Sequence, residues 1–195
     1  MPNKKTLQRG YQLKITLIDI GPPIWRRLQV AASIKLCCLH SAIQVAMGWT
    51  DSHLHQWERG SENWGVPQWD EFGDLNLIDE RRTRVADVLQ SQGDSMLYIY
   101  DFGDDWQHQV VLETIGALGD DSKKPACLGG ERRCPPEDVG GVLGYEEFLE
   151  AIFDPQHENY KQYVRWAGGH FIDEFDLQAT NRKLSAMRWP VKHPW

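Results

Sequence analysis

The chain has 195 residues, 21 of them Lys or Arg and 28 Asp or Glu, for a formal charge of −7 with neutral histidines. Leu, Ile, Val and Phe account for 46 of the 195, above the roughly 20% below which a charged chain stays disordered. Gly and Pro, 17 and 10 residues, are near their ordinary share, which excludes collagen-like and low-complexity organisation.

The acidic balance, with a pI near 5.5, argues against a large nucleic-acid footprint, because duplex binding needs Lys and Arg to neutralise phosphates. A local basic patch stays open. The length suits one large domain over 11–187, between a flexible N-terminus at 1–10 and a tail at 188–195. The uncharged stretch Leu36 to Thr50 is shorter than the ~20 apolar residues of a membrane span. Met1 to Gly10 holds Lys4, Lys5 and Arg9 with no apolar block behind them, so no secretory signal and a cytoplasmic location are expected. Four cysteines are too few for a disulfide scaffold.

In chain order, Tyr11, Leu13, Ile15 and Leu17 alternate with polar residues as in a strand with one buried face. Gly21-Pro22-Pro23 ends it. Ile24 to Val30 predicts a second strand with Ile24, Arg26, Leu28 and Val30 on one face and Trp25, Arg27 and Gln29 on the other. Leu36, Leu39, Ile43, Ala46 and Met47 recur at helical spacing, with Ser33 as N-cap and Gly48 as the C-terminal stop. His53 to Glu58 predicts a short strand, followed by a loop from Gly60 to about Asn76 and a helix over Arg84 to Gln92.

Met96 to Phe102 and Trp106 to Ile115 form the strongest hairpin signal, joined at Gly103-Asp104-Asp105. A long Gly/Pro/Asp loop then fills 116–144, and loops of that length are functional or tethers. Three short helices follow, over Tyr145 to Phe153, His157 to Ala167 and Leu177 to Met187, with Asp176 capping the last. The order predicts an α+β fold with a mixed or mainly antiparallel sheet. No G-x-G-x-x-G or Walker loop is present.

His53 and His55, two apart on the predicted strand, leave one face together with Trp57 and could share a metal; a sheet face with satisfied rings is the structural alternative. Cys127 and Cys134, with six residues between them, loosely match a zinc pair that those histidines or His108 would complete; half-buried thiols are the plainer reading. Asp101, Asp104, Asp105 and His108 cluster at the hairpin turn, where they could hold a divalent cation or act as acid and base, or simply accept turn N–H groups. Crowded carboxylates there would raise a pKa. The basic concentrations are Arg26 with Arg27, Arg81 with Arg82 and Arg84, and Arg132 with Arg133. They could line an anion or be spent in ion pairs. Among nine tryptophans, Trp57, Trp64, Trp69 and Trp106 flank these elements, at a contact surface or in the core.

The runs YQLKITL from Tyr11, PPIWRR from Pro22, MGWTDSHLH from Met47, YIYDFGDDWQH from Tyr98 and CPPEDVGGVLGY from Cys134 resemble the plasmid pRiA4b ORF-three-like family over nearly the whole chain. Trp57 stands where that family usually has Phe. The resemblance implies a single roll-like α+β domain from a bacterial, plasmid or mobile-element setting, and no mechanism. Some relatives carry a transposon-passenger or resolvase-like label, yet no serine lies in the arginine-rich segment a serine recombinase needs.

The family pattern draws attention to Trp25, Arg26, Arg27, His53, His55, Asp101, Gly103, Asp104, Trp106, His108, Pro135, Pro136, Glu137, Asp138, Gly140 and Gly141. Eleven positions, Arg26, Arg27, His53, His55, Trp57, Asp101, Asp104, Trp106, His108, Glu137 and Asp138, are expected to form one polar pocket, closed by the Pro135 to Tyr145 loop folding over the hairpin turn and the His53 strand, with contacts from Glu137 or Asp138 to His55 or Arg26. Three functions compete: a non-catalytic binding module taking a small ligand or peptide, a nucleic-acid accessory protein using the arginines, and a metal-dependent hydrolase using His53, His55, Asp101, Asp104 and His108. No membrane partner is expected, and no cofactor unless a divalent metal.

Overall fold

A computed structural model describes residues 8–70, 76–118, 124–169 and 171–189. Its elements are β1 (Gln8–Leu17), β2 (Trp25–Ala31), α1 (Leu36–Met47), β3 (His55–Arg59), β4 (Glu62–Gly65), β5 (Ile78–Asp79), α2 (Val85–Val88), β6 (Ser95–Tyr100), β7 (Trp106–Leu118), β8 (Ala126–Glu131), α3 (Gly141–Phe153), α4 (Tyr160–Trp166) and α5 (Leu177–Ala186). The strands form one open sheet in the order β5-β4-β3-β6-β7-β1-β2-β8. Every neighbouring pair is antiparallel except β4 with β5. This is the α+β class expected.

Alternation builds the core. Tyr11, Leu13, Ile15 and Leu17 of β1 and Leu28 and Val30 of β2 are buried, and β6 and β7 add Tyr98, Tyr100, Val110 and Leu112 to the same cluster. Eleven of the twelve residues of α1 are buried, the mark of a helix covered all round. It packs beside α5, which also lies on β8. Arg26 takes the core-facing register of β2 and is buried with its apolar neighbours.

Several expected boundaries move, each for a local reason. Lys35, not Ser33, occupies the N-cap of α1, without a side-chain cap; the Leu36 N–H donates to Thr83 O across an isolated bridge, and Ser33 Oγ accepts from Gln8. The helix expected over Arg84 to Gln92 stops at Val88 because Asp94 captures the N–H groups of Gln90 and Ser91. β3 begins at His55, leaving His53 in a bend outside the strand. The expected loop at 60–76 contains β4 and a 3-10 turn over Pro67–Trp69, and its residues 71–75 lie outside the described residues. The expected loop at 116–144 contains the end of β7, β8 and the start of α3; 119–123 lie outside the description. The expected flexible terminus and tail fall largely outside it too, although Gln8 to Gly10 already belong to β1. Asp176 caps α5 as expected, accepting from Ala179 N–H at 2.8 Å.

The approach of α3 to the hairpin turn positions the site. A Cβ on Gly141, where φ is +68°, would stand 2.6 Å from Asp104 O, and one on Gly144 would stand 2.0 Å from Val139 O. Only glycine permits both the left-handed backbone and the contact. Gly141→Ala and Gly144→Ala are therefore expected to lower stability by about 1–3 kcal/mol in urea unfolding. Gly116→Ala, whose Cβ would meet nothing within 4 Å, should stay within about 0.5 kcal/mol; equal effects at all three positions would refute the close-approach reading.

Candidate functional site

The turn between β6 and β7 is built from aspartates. Asp101 and Asp105 have φ of +59° and +52°, a conformation Asp tolerates better than most residues. Asp101 Oδ1 accepts the Gly103 N–H at 3.0 Å. Asp104 Oδ2 accepts the Gly140 N–H at 3.1 Å, which fastens the segment before α3 onto the turn. Upstream of α3, Trp49 Nε1 donates to Pro135 O at 2.9 Å. Glu137 accepts from Thr50 N–H at 2.8 Å and from Tyr100 Oη at 3.2 Å. The Tyr100 phenol sits well above its ordinary value because it is buried and faces the Glu137 carboxylate, so it stays a donor.

This clamp gathers ionisable groups around one ring. His53 Nε2 lies 3.1 Å from Asp138 Oδ1, 3.6 Å from Asp101 Oδ2 and 3.8 Å from Glu137 Oε2. The nitrogen is screened from solvent and makes no aligned hydrogen bond. Asp138, at φ +58°, is exposed. His53, Asp101 and Asp138 each offer a ligand atom within 4.8 Å of the others. For metal–ligand bonds of ~2.1 Å, neighbouring donors stand roughly 3.0–3.4 Å apart in octahedral or tetrahedral shells, so small side-chain adjustments would enclose an ion.

The other candidates lie elsewhere. His55 and Trp57 share a face, as expected, but they point into the core, where both donate to Glu80 Oε2 at 2.9 Å. His55 stacks on His40 with ring centroids 3.5 Å apart and planes 7° from parallel. His40 in turn lies 2.7 Å from Tyr98 Oη and 2.8 Å from Asp51 Oδ1. The expectation that His53 and His55 would share a face is thus corrected: β3 starts two residues later than expected, at His55, and His53 lies in the bend before it. His40, Asp51 and His55 also bring donor atoms together. Parallel rings, however, aim their in-plane lone pairs side by side, so an ion held by both would stand ~1.7 Å out of each plane, against the in-plane geometry imidazole prefers.

Trp106 and His108 are buried. Arg27 pairs with Glu113 at 2.6 Å on the half-exposed face of β2. Arg81 and Arg82 pair with Asp79, and Arg132 with Asp173, so most of the basic concentrations are spent in ion pairs. Cys127 and Cys134 are buried free thiols that join neither donor group. Sequence reasoning missed Glu80, one of two acids in the charged run Asp79 to Arg82, with no pattern to mark it as the buried one. It also missed His40, whose place on an apolar helix was a usable signal.

The model of the plasmid pRiA4b ORF-3-like protein family matches residues 9–183, and the chain belongs to that family. It is 41% identical over 172 residues to the uncharacterised protein y4hQ of Sinorhizobium fredii, covering 87% of this chain and 85% of that protein. A crystal structure of a protein of unknown function from Methanosarcina mazei Go1 superimposes with a TM-score of 0.81 at 38% identity, over 90% of this chain and 98% of the other. No helix among the described residues is long and apolar enough to cross a membrane.

The buried polar network fixes an acid response. Burial lowers both His40 and His108 to about 4, against an ordinary value near 6.5. A lowered folded value means that stability is complete above ~6.5 and is lost as the pH falls toward 4, by about 3 kcal/mol for each ring. Glu80 works in the same direction at lower pH. Burial pushes its carboxyl up, but the hydrogen bond and charge of His55, the charge of His40 and the Trp57 hydrogen bond outweigh that and hold it below its ordinary value. Unfolding free energy in urea is expected to drop by several kcal/mol between pH 7.5 and 4.5, and His108→Gln should shrink the drop. A flat profile would contradict the buried neutral histidines.

Proposed function

We propose that the protein is a non-catalytic, divalent-cation-binding module whose ion is held by His53 Nε2, Asp101 Oδ2 and Asp138 Oδ1, with Glu137 Oε2 at the edge of the shell. The observation that carries this reading is the convergence of three carboxylates, from the β6–β7 turn and the segment before α3, on one imidazole nitrogen without an aligned hydrogen bond. One nitrogen with two or three carboxylate oxygens favours Mn²⁺ or Zn²⁺ over Ca²⁺, which takes oxygen ligands. The carboxylates supply negative charge that the ion neutralises, and the ion removes their mutual repulsion. With Asp138 exposed, the shell keeps an open side on which a partner's oxygen could complete it.

Two observations weigh against the competing readings. The pairing of Arg27, Arg81, Arg82 and Arg132 with acids leaves a poor footprint for nucleic-acid phosphates. A hydrolase would need a free base beside the ion; His55 and His108 are buried in the core, and the Glu137 carboxylate is held by Thr50 and Tyr100. The plasmid in the family's description suggests a mobile-element setting, which would supply a partner and leave the ion chemistry unchanged.

Calorimetric titration of chelator-treated protein with Mn²⁺ and with Zn²⁺ tests the proposal. One ion per chain with micromolar affinity is expected, weakened at least tenfold by His53→Ala or Asp138→Asn and unchanged by Glu113→Gln. Absence of saturable binding, or binding indifferent to His53 and Asp138, overturns it. Because Asp138 is exposed, Asp138→Asn should leave urea stability within about 0.5 kcal/mol, so a loss of binding in that variant reports the site and not the fold.

A further inference from the structure

Arg26 is 1% exposed, and a buried guanidinium without a countercharge costs several kcal/mol unless something compensates it. Its Nε donates to Ala46 O and its Nη1 to Trp25 O and Glu131 O, each at 2.8 Å. The Phe175 ring lies 4.0 Å from its central carbon. Its Nη2 donates to no group among the described residues, and no carboxylate there pairs with it. The carboxylate that acts on it at longer range, Asp173, is taken by Arg132 Nε and by the Arg133 N–H. Two thiols stand close, but burial raises Cys134 to about 12 and raises Cys127 as well, so neither is a thiolate at neutral pH. The uncompensated charge shows in Arg26 itself, whose pKa burial lowers.

Arg26 lines a cleft of about 570 Å³ between the end of α1, the 133–137 segment and α5, a volume ordinary for a small-molecule site. Two further cations reach the cleft, Arg133 and Lys183, both exposed and both without a carboxylate partner among the described residues. Arg133 rests over the Phe171 ring at 4.9 Å. Trp49 and Trp166 also line it, Trp166 being 44% exposed. The acids on the wall are partly committed: Asp176 caps α5, and Glu137 is held by Thr50 and Tyr100. Glu174 also lines the cleft, is exposed and makes no ion pair among the described residues.

We propose that this cleft binds a small organic anion, a carboxylate or phosphate carried on an aromatic body, with the anionic head on Arg26 Nη2, Arg133 and Lys183 and the ring against Trp49, Trp166 and Phe171. The exposed Arg133 guanidinium recognises either head by paired N–H donors, with Arg26 Nη2 adding a further donor, and the aromatic wall selects for a ring over a bare ion. The cleft borders the cation site at Glu137, but Arg26, Arg133 and Lys183, which would hold the anion, take no part in that site.

Tryptophan fluorescence of the chelator-treated protein, titrated with benzoate, phenyl phosphate, acetate, inorganic phosphate and benzylamine, tests the proposal. Benzoate or phenyl phosphate is expected to saturate below 1 mM, and whichever binds tighter identifies the head group; acetate and inorganic phosphate should bind at least tenfold more weakly, and the cationic benzylamine not at all. Arg133→Gln combined with Lys183→Gln, both on the surface, should weaken binding at least tenfold while the melting temperature without ligand stays unchanged. Binding of none of the anions below 10 mM, equal binding of benzylamine, or affinity indifferent to that double substitution overturns the proposal. Failure of the cation reading would show only in the Mn²⁺ and Zn²⁺ titrations.

Discussion

The seating of one irregular segment on one hairpin turn governs the candidate site. Asp104 holds Gly140 N–H, Gly141 leaves room for the Asp104 carbonyl, and Glu137 bridges Thr50 and Tyr100. None of these contacts is individually strong, since a net hydrogen bond contributes ~1 kcal/mol. Together they bring residue 138 next to residue 53, which no local preference of either segment would do. The steric demand at Gly141 makes the arrangement close to all-or-none: a side chain there moves the start of α3, and with it Asp138.

The histidines divide into two physical kinds. His40, His55 and His108 are buried and belong to a polar layer inside the core, where Tyr98, Asp51 and Glu80 partner four of their six ring nitrogens and Trp57 helps to hold Glu80. Such a layer specifies one packing because a half-satisfied alternative is costly. His53 is partly exposed and faces carboxylates. Residues two apart in the chain thus serve the architecture and the surface separately, because the backbone bends at His53 before β3 begins. Arg26 adds a third case, a charge in the core register of a strand that also lines a cleft.

Much of this was legible in the sequence where periodicity carries it. β1, β2, α1, the β6–β7 hairpin and the Asp176 cap follow from alternation, 3.6-residue spacing and turn chemistry, because burial acts on those patterns directly. Arg26 on the apolar face of β2 could be read as well. The two-residue strand β5, β4 and β8 could not: strands this short, two of them containing glycine, take their shape from neighbouring edges rather than from their own residues. The loss of most of the helix after Arg84 depended on the Asp94 side chain, a local competitor for backbone N–H groups that no propensity scale weighs. The pocket expected to unite eleven polar positions resolves into His53, Asp101, Glu137 and Asp138 together, Asp104 one contact away as an anchor, and the rest buried or on other surfaces. Strand parity was the misleading step for His53 and His55, since it holds only where the strand exists.

The most direct test of the central claim, that the 134–141 segment and the hairpin turn close around an ion, is an anomalous difference map from crystals of chelator-treated protein soaked in Mn²⁺. The strongest peak is expected at ~2.1–2.3 Å from His53 Nε2, Asp101 Oδ2 and Asp138 Oδ1. A map without density there, or with its strongest peak bound to other residues, would contradict it.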